Sequence, residues 1–362
     1  MDKQYMRRAI ALALKGVGKV NPNPLVGAVI VKNNIIIAEG YHECYGDLHA
    51  ERNAFKNCAG SPEGADMYVT LEPCCHHGLQ PPCVDAVIEN KIKRVFIGSS
   101  DPNPLVAGGG IAKLREHGVE VYTDVLKDEC DAINEIFFHY IRTKTPYVMM
   151  KYAMTADGKI ASYTGDSKWI SNEKSRRIVH EDRNRYAAIM VGIGTVLADN
   201  PSLTCRIEDG TNPIRIICDS KMRLPLDSEI VKTAKDIPTI VAAAENNEEK
   251  EKALKEKGID VIYVPDSDGR IDLAALIKKI GERKIDSVLL EGGGELNFAA
   301  LRSGIVNKVK VFTAPKIIGG SSAKTPVAGA GIELMSGAVN LKLRSVSPID
   351  GDIMAEYDVV KE

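Results

Sequence analysis

No apolar run in the 362-residue sequence approaches the roughly 20 residues that a membrane-spanning helix needs. The apolar stretch near the start, residues 9–14, is also too short for the core of a secretory signal. Neither sign of charge is in surplus, because 47 Lys and Arg residues accompany 49 Asp and Glu residues, for a formal net charge of −2. With no global basic field and only 5% aromatic residues, the composition argues against a nucleic-acid partner. We therefore expect a cytoplasmic protein with no membrane partner.

The remaining composition is that of an ordinary globular protein, with 44% hydrophobic and 27% charged residues. A single core stops growing at about 250–300 residues, so a chain of this length predicts two domains. The polar segment Thr143-Lys144-Thr145-Pro146 marks the expected boundary, since proline ends a helix that precedes it. We expect the domains to span residues 1–145 and 146–362.

Helical and extended patterns alternate through both halves, which predicts α/β domains with mostly parallel or mixed sheets covered by helices. In the first half the predicted strands are residues 26–31, 35–39, 67–71, 94–98 and 119–122, and the predicted helices are residues 4–15, 49–57, 82–90, 111–117 and 128–140. In the second half the strands are residues 147–153, 188–192, 214–219, 239–243, 261–264, 287–290, 309–314 and 355–359, and the helices include residues 172–186, 248–257, 273–283 and 296–302.

The most specific pattern in the chain is His49-Ala50-Glu51 followed by Pro73-Cys74-Cys75 and Pro82-Cys83. A catalytic zinc ion takes three protein ligands and leaves a fourth position for water, and one imidazole with two thiolates fits that count. A His-x-Glu motif before a Pro-Cys motif is the signature of zinc nucleobase deaminases, here with a longer loop between the cysteines. Glu51 would move protons between the water and the leaving group. This reading requires that His49 lie at the very start of its helix, because residues i and i+2 face different sides of a helix.

Two alternatives stay open for this pattern. A structural zinc site would take Cys75 or His76 as a fourth ligand, and the cysteines and histidine could also be ordinary buried and surface residues. Eight cysteines in a reducing compartment favour metal ligation over disulfides. The remaining cysteines have no ligand partner at a useful spacing and are read as core or surface residues: Cys44, Cys58, Cys130, Cys205 and Cys218.

The first half resembles the deaminase domain of the riboflavin-biosynthesis enzymes, which has the cytidine-deaminase-like fold. The matching segments are Asn21-Pro22-Asn23-Pro24-Leu25-Val26-Gly27, His49-Ala50-Glu51, Leu71-Glu72-Pro73-Cys74-Cys75-His76-His77-Gly78 and Pro81-Pro82-Cys83. The resemblance implies that His49, Cys74 and Cys83 bind zinc and that Glu51 shuttles protons. It also implies that Asn23, His42 and His76 hold the pyrimidine or its ribose phosphate, although each could instead be a turn residue or a satisfied core group.

The sequence departs from the family pattern at the two positions after His76-His77-Gly78, where the family usually has a basic residue and then Thr. This chain has Leu79-Gln80 at that place. The loss of a cation near an anionic substrate predicts weaker attraction of the phosphate but leaves the zinc chemistry intact. Lys19 or Arg52 is an alternative source of that positive charge.

In the second half a predicted strand runs into Glu291-Gly292-Gly293-Gly294-Glu295-Leu296-Asn297 and then into a helical stretch. A strand, a glycine loop and a helix present backbone N–H groups and a positive helix end to phosphate. The motif is weak alone, since it lacks the last glycine of Gly-x-Gly-x-x-Gly. Ligands gather beyond the carboxyl ends of strands, where three further segments would meet: residues 151–160, residues 167–171 with the only Trp, and residues 192–206.

These segments resemble the reductase domain of the same pathway, which has the dihydrofolate-reductase-like fold and uses NADPH. The whole chain is thus similar to the bifunctional riboflavin-biosynthesis deaminase/reductase family. The resemblance implies NADPH contacts at Ala153, Trp169, Thr195, Asp199, Ser220, Gly293, Gly294, Glu295, Leu296, Asn297, Phe298 and Ala299. It implies substrate contacts at Ser167, Arg183, Leu203, Arg206 and Glu291, and Lys151 is a further candidate polar ligand or a lysine that only extends to the surface.

We therefore expect a zinc-dependent deamination of 2,5-diamino-6-(5-phosphoribosylamino)pyrimidin-4(3H)-one and then an NADPH-dependent reduction of its ribosyl group to ribityl. The expected partner is this small pyrimidine ribose phosphate, and we expect the chain to form a homo-oligomer. Two other functions remain open. One is a nucleoside or RNA deaminase with an unrelated second domain, and the other is a noncatalytic sensor of zinc and nucleotide.

Overall fold

Residues 2–78, 80–103 and 106–361 are described by a computed structural model, and Leu79, where the sequence departs from the family pattern, lies outside them. Clusters of contacts divide the chain into two units, Met1–Lys144 and Thr145–Glu362. No helix among the described residues is both long and apolar enough to cross a membrane.

The first unit contains a five-stranded sheet with helices on both faces. Its strands are β1 (Gly27–Lys32), β2 (Ile35–Tyr41), β3 (Asp66–Leu71), β4 (Arg94–Ser99) and β5 (Glu120–Tyr122). Its helices are α1 (Lys3–Ala13), α2 (Ala50–Lys56), α3 (Cys83–Glu89), α4 (Gly109–Glu116), α5 (Lys127–Ile133) and α6 (Glu135–Thr143), with a short 3₁₀ turn at Leu14–Gly16.

The strand order β2-β1-β3-β4-β5 is antiparallel on the β2-β1-β3 side and parallel from β3 to β5. Strand residues that alternate in sequence point to opposite faces. Ile30 and Ile97 face the helices α2, α3 and α4, whereas Val29 and Phe96 face α1 and α5. Two apolar faces explain why the central strands are nearly continuous apolar runs, and they produce the expected three-layer α/β/α arrangement.

Two local features of this unit follow from asparagines. Asn33 and Asn34 form the turn between β1 and β2 with φ of 52° and 62°, a left-handed conformation that asparagine tolerates. The single helix predicted at residues 128–140 is wrong, because Asn134 separates α5 from α6. Its side chain accepts from the Leu25 N–H and donates to the Leu25 carbonyl, and this long-range pairing ends the first helix.

The second unit contains a nine-stranded sheet. Its strands are β6 (Tyr147–Thr155), β7 (Ala188–Gly192), β8 (Ile214–Cys218), β9 (Thr239–Ala243), β10 (Ile259–Tyr263), β11 (Ser287–Leu290), β12 (Val306–Ala314), β13 (Leu341–Ile349) and β14 (Asp352–Val359). Its helices are α7 (Glu173–Arg185), α8 (Ile193–Asp199), α9 (Glu229–Lys232), α10 (Glu248–Glu256), α11 (Leu273–Glu282) and α12 (Gly294–Arg302), with a short 3₁₀ turn at Met335–Gly337.

The order of this sheet is β10-β9-β8-β7-β11-β6-β12-β14-β13, parallel from β10 to β12 and antiparallel in its last two pairs. Helices α11 and α12 cover one face, and α8, α9 and α10 cover the other. The carboxyl ends of the parallel strands therefore meet at one edge, which is where an open α/β sheet binds ligands.

The sequence patterns missed three elements of this unit: α8, α9 and the edge strand β13. Strand β13 contains Pro348, and its apolar side chains Leu341, Leu343 and Val346 are exposed, so no inward alternation marks it. Proline is tolerated at a sheet edge because no further strand needs its missing N–H. Strand β6 also extends two residues beyond the predicted end at residue 153, to Thr155, and Lys151 lies within it.

Candidate metal centre and nucleotide cleft

Three potential metal ligands of the first unit lie at the ends of secondary-structure elements. His49 is the N-cap residue of α2, Cys74 lies three residues beyond the end of β3, and Cys83 is the first residue of α3. The zinc interpretation of the sequence required His49 to lie at the very start of its helix, and the structure places it there. Short segments that end at one edge of the sheet thus bring a histidine and two cysteines together although they are far apart in sequence.

The three side chains form a site whose dimensions suit a metal ion. The Nδ1 atom of His49 lies 3.5 Å from Cys74 Sγ and 3.3 Å from Cys83 Sγ, and the three ligand atoms all lie within 4.8 Å of one another. A tetrahedral zinc site with bonds of about 2.0–2.3 Å has ligand–ligand separations of about 3.5–3.8 Å. One imidazole and two soft thiol groups with this spacing fit zinc.

The carboxylate of Glu51 lies beside this cluster. Glu51 lies in the first turn of α2 and is buried, with 3% of its surface exposed. Burial raises the pKa of Glu51, and the neighbouring Cys74 raises it further. A carboxyl group in such surroundings exchanges a proton more readily near neutral pH than an exposed one, which is what a general acid–base group requires.

The two thiols of the cluster are electrostatically unequal. A hydrogen bond from Cys83 is the largest cause that lowers the pKa of Cys74, to about 4, and His49 lowers it further. The same hydrogen bond to Cys74, together with burial and the Glu51 carboxylate, raises the pKa of Cys83. Cys74 also accepts the backbone N–H of Cys83 at 3.3 Å, so a helix N-terminus stabilises its thiolate form.

Two of the expected substrate-binding residues contact each other beside this cluster. Asn23 Nδ2 donates to His42 Nε2 at 3.0 Å, and His42 Nδ1 donates to the Leu48 carbonyl at 3.1 Å. The His42 ring meets the His49 ring edge-on, with 5.5 Å between centroids. Burial lowers the pKa of His42, which favours its neutral form. This pair therefore offers the site uncharged hydrogen-bonding groups.

His76, the third expected substrate contact of this unit, follows the ligand Cys74 by two residues. Its buried Nδ1 atom has no hydrogen-bond partner among the described residues. A buried polar nitrogen without a partner is costly, unless a ligand or water satisfies it.

Arg52 and Glu72 support this centre, and the sequence analysis gave neither of them such a role. The Arg52 guanidinium donates to the carbonyls of Pro81 at 3.2 Å and Pro82 at 2.8 Å, which ties α2 to the segment just before Cys83. Glu72 accepts backbone N–H groups of Asp101, Gly108 and Ile111. Arg52 directly follows Glu51 in the sequence, and no rule for the spacing of metal ligands marks that position as a support of the site.

The second unit contains a large cleft of about 1660 Å³ along the carboxyl edge of its sheet. The residues that line it come from the ends of β7 and β8, from α8 and α12, from the start of α11, and from several loops. Nine of the residues expected to bind NADPH or substrate line this cleft: Ser167, Thr195, Asp199, Ser220, Gly293, Gly294, Glu295, Leu296 and Ala299.

The glycine loop at the start of α12 has little room for side chains. Gly293 is the N-cap residue of α12. A Cβ atom on Gly294 would lie 2.8 Å from the Thr325 carbonyl oxygen, and one on Gly292 would lie 2.7 Å from Asn297 Oδ1. The loop therefore turns tightly against its own unit, and Gly293 and Gly294 at the helix start line the cleft, where backbone N–H groups suit phosphate binding.

Several of the expected contact residues do not line this cleft. Asn297 is fully buried and donates to the Pro326 carbonyl, and Leu203 lies in the core. Trp169 is 63% exposed, with the Arg176 guanidinium 4.6 Å from the centroid of its ring. Ala153 lies in β6, Phe298 lies in α12, and Arg206 donates to the Ser202 hydroxyl at 3.0 Å.

A group of three charged residues occupies the position just beyond β11. Glu291 accepts from Lys151 Nζ at 2.8 Å and from Arg183 Nε at 2.8 Å, and all three side chains are 12–15% exposed. Burial alone would raise the pKa of Glu291, but the two cations outweigh it and lower that pKa to about 2. The Arg183 NH1 group donates to the Thr204 carbonyl at 3.1 Å.

Comparisons with known proteins agree with this geometry. Residues 146–355 match the family described as the RibD C-terminal domain, and residues 1–99 match the cytidine and deoxycytidylate deaminase zinc-binding region. The riboflavin biosynthesis protein RibD of Actinobacillus pleuropneumoniae is 57% identical over 359 residues, which cover 99% of this chain and 96% of the relative. RibD of Bacillus amyloliquefaciens is 41% identical, with 98% and 95% covered.

A solved structure extends the comparison to three dimensions. The crystal structure of a diaminohydroxyphosphoribosylaminopyrimidine deaminase/5-amino-6-(5-phosphoribosylamino)uracil reductase from Thermotoga maritima superimposes with a TM-score of 0.88 at 40% identity. The match covers 99% of this chain and 98% of the Thermotoga chain.

The fold and the two sites define a zinc deaminase that is joined to a nucleotide-dependent reductase. The chain belongs to the RibD family of bifunctional riboflavin-biosynthesis enzymes. It has a cytidine-deaminase-like and a dihydrofolate-reductase-like fold, it uses zinc and NADPH, and it catalyses a deamination and a reduction in riboflavin biosynthesis. The family, the fold class and both cofactors that the sequence predicted are confirmed.

Proposed function

We propose that residues 1–145 deaminate 2,5-diamino-6-(5-phosphoribosylamino)pyrimidin-4(3H)-one and that residues 146–362 reduce the ribosyl group of the product to ribityl. The observation that carries the first assignment is the convergence of His49, Cys74 and Cys83 within 4.8 Å, beside the buried Glu51. The Thermotoga relative is a diaminohydroxyphosphoribosylaminopyrimidine deaminase/5-amino-6-(5-phosphoribosylamino)uracil reductase, a name that covers both steps and supports the choice of substrate.

In the deaminase site His49, Cys74 and Cys83 would hold the metal, which would lower the pKa of a water molecule to about 7. Glu51 would accept a proton from the attacking water and give it to the ring nitrogen of the pyrimidine. It would then carry the second proton of that water to the 2-amino group, which would leave as ammonia while the water oxygen takes its place. Asn23, His42 and His76 orient the pyrimidine and its ribose phosphate.

In the reductase site the cleft holds the cofactor, and the charged group beyond β11 meets the substrate. NADPH supplies the hydride that reduces C1 of the ribose. Three of the five N–H groups of Arg183 donate to Glu291 and Thr204, and among the described residues the other two are open to oxygen atoms of the substrate. Lys151 and Glu291 lie beside this position, and Ser167 and Arg206 are further proposed substrate contacts. The proposed contact of Leu203 would come from its backbone, because its side chain packs in the core.

The direct test is to incubate the purified protein with the diaminopyrimidinone ribose phosphate, with and without NADPH. We expect one equivalent of ammonia in both reactions, and loss of NADPH absorbance at 340 nm only when the cofactor is present. Oxidation of NADPH without release of ammonia from a zinc-loaded sample would contradict the proposed deaminase substrate. Release of ammonia without oxidation of NADPH would contradict the reductase assignment.

Arg52 is expected to act through the position of Cys83, since it holds the two carbonyls that precede this ligand. Arg52→Ala should weaken zinc binding about 10-fold, which is the lower end of the cost of losing an outer contact of a metal ligand. Competition with a chelator measures the affinity. Arg115→Ala is the matched control, because that exposed guanidinium donates to the Val121 carbonyl, remote from the ligands. Equal zinc affinity in the two variants would remove Arg52 from the support of the site.

We also propose that the chain forms homo-oligomers in the cytoplasm. The edge strand β13 supports the first part, because no strand pairs with its outer side in the part of the chain that the structure describes, and Leu341, Leu343 and Val346 are exposed on it. Exposed apolar edges of this kind pair readily with another chain. The dependence of the reductase on NADPH and the lack of a disulfide among the described cysteines are consistent with a reducing cellular compartment.

A further inference from the structure

A buried carboxylate that has no part in the proposed reaction connects a β-hairpin to the start of a helix. Asp352 begins β14, directly after the turn at Asp350 and Gly351 that follows β13, and only 3% of its surface is exposed. Its Oδ2 atom accepts two hydrogen bonds from the helix α7, one from the Asn172 N–H at 2.8 Å and one from the Ser175 hydroxyl at 2.7 Å. One oxygen atom of the hairpin thus binds the start of α7 twice.

The side chain of Asn172 strengthens this joint from the helix side. Its Nδ2 group donates to the main-chain oxygens of Ile349 at 2.6 Å and Asp350 at 3.0 Å. Its Oδ1 atom accepts the Ser175 N–H at 2.9 Å and so caps the helix. Asn172 therefore has two separate functions, since its amide oxygen caps α7 and its amide nitrogen binds the hairpin.

The start of α7 also holds the segment that precedes it, residues 167–171. The Arg176 guanidinium donates to the Ser171 carbonyl, and it lies 4.6 Å from the centroid of the Trp169 ring. Lys316, which is exposed, adds a hydrogen bond from its Nζ atom to the Trp169 carbonyl at 2.6 Å. None of the five residues of the segment is buried, so the core contributes little to its position. The contacts at the start of α7 therefore fix much of its conformation.

This segment carries proposed contacts to both ligands of the reductase. Ser167, which lines the cleft, is a proposed substrate contact, and Trp169 is a proposed NADPH contact. The opposite end of α7 is held separately, because Asp182 accepts hydrogen bonds from Lys310 Nζ at 2.7 and 2.8 Å. Loss of the joint with the hairpin should therefore loosen residues 167–171 and leave the far end of the helix in place.

We propose that Asp352 is a positioning residue of the reductase, which acts through Asn172 and the start of α7 to hold residues 167–171 against substrate and cofactor. None of the residues of β13 and β14, all of which the structure describes, lines the cleft, so the effect of the hairpin on the reaction is indirect. The proposal rests on the proposed function for the roles of Ser167 and Trp169.

Steady-state kinetics of the full chain separate this role from a loss of stability. Asp352→Ala should raise the KM of the reductase for NADPH and for the deaminated substrate roughly 3- to 10-fold, because a segment that is in place only part of the time reduces apparent affinity by that fraction. The kcat should stay within about 2-fold of the wild-type value, as expected when binding alone is weakened. A lower kcat at unchanged KM would mean that fewer molecules are folded, and it would overturn the positioning role.

The fluorescence of Trp169, the only tryptophan of the chain, reports on the same segment without turnover. Its anisotropy should fall in Asp352→Ala, because a loosened segment reorients faster. Saturating NADP⁺ should restore much of the anisotropy, since the bound cofactor would order the segment again. Ammonia release by the first unit should be unchanged, because Asp352 lies in the second unit.

A second variant keeps the test valid if Asp352→Ala fails to fold. Asn172→Asp retains the oxygen that caps α7 but loses both hydrogen bonds to the hairpin, so it should raise both KM values and lower the anisotropy in the same way. Lys174→Ala is the matched control, because it removes only an exposed ion pair with Asp350 at the same joint. It should leave the KM values and the Trp169 anisotropy unchanged.

The two measurements distinguish a failure of this proposal from a failure of the proposed function. Unchanged Trp169 anisotropy in Asn172→Asp and in folded Asp352→Ala would overturn the positioning role and leave the proposed contacts intact. Lowered anisotropy with unchanged KM values would overturn both, because residues 167–171 would then be held by the hairpin without contributing to the binding of either ligand.

Discussion

Replacing Glu51 with glutamine is expected to leave zinc bound and to slow deamination by about 10²–10⁴-fold, the range that general acid–base groups contribute. The amide has nearly the same shape as the carboxylate but cannot accept the proton of a water molecule. Glu51 is not among the three grouped metal ligands, so the metal should remain at about one ion per chain. Elemental analysis and an ammonia-release assay measure the two quantities separately.

The same variant tests the assignment of the two reactions to the two units. The rate of NADPH oxidation, measured with the deaminated substrate, should be unchanged in Glu51→Gln, because Glu51 lies in the first unit. Glu63→Gln is the matched control, since Glu63 is an exposed carboxylate of the same unit that pairs with Lys91 at the surface. Release of ammonia within tenfold of the wild-type rate would remove Glu51 from the proton transfers.

The candidate metal centre could be predicted from the sequence because each of its members lies at the end of a local element. His49 precedes a helix, Cys74 follows a strand and Cys83 begins a helix. Strand and helix ends are marked locally by prolines and by changes of hydrophobic period, so the sequence indicates them well. The roles of the individual residues stay predictions, although the geometry suits them.

The supports of this centre could not be predicted in the same way. Arg52 donates to backbone carbonyls that lie 29 and 30 residues further along the chain. Glu72 accepts backbone N–H groups from 29 to 39 residues away. Every residue offers the same backbone groups, so nothing in the side-chain sequence marks the partners of such contacts.

The fold shows the same division between local and long-range information. Strands that are buried on both faces, such as β7 and β9, were predicted with their bounds because their apolar runs are continuous. The break at Asn134 depends on Leu25, which is 109 residues distant, and the exposed edge strand β13 has no inward-facing pattern. Both errors arise where a tertiary contact or an edge position overrides the local pattern.

The ion pairs around Glu291 are another long-range contact that the sequence does not mark. Lys151, Arg183 and Glu291 were each predicted to contact the substrate, but not to bind one another. Glu291→Gln is expected to destabilise the second unit by about 3–5 kcal/mol, because it leaves two mostly buried cations without their anion. For a unit of this size the melting temperature should fall by roughly 10 °C. The reductase should lose activity while deamination is kept.

The dependence of this effect on pH follows from the direction of the pKa shift. The pKa of Glu291 is lowered to about 2 from an ordinary value of 4.5, so its ion pairs stabilise the folded state fully above pH 4.5. This stabilisation is lost as the pH falls from 4.5 toward 2, and the wild-type and Glu291→Gln melting temperatures should converge over that range. Glu245→Gln is the matched control, because its exposed contact with Lys221 is worth about 1 kcal/mol or less. Equal melting temperatures for Glu291→Gln and Glu245→Gln at pH 7 would mean that the three charges contribute to substrate binding alone, and not to the stability of the fold.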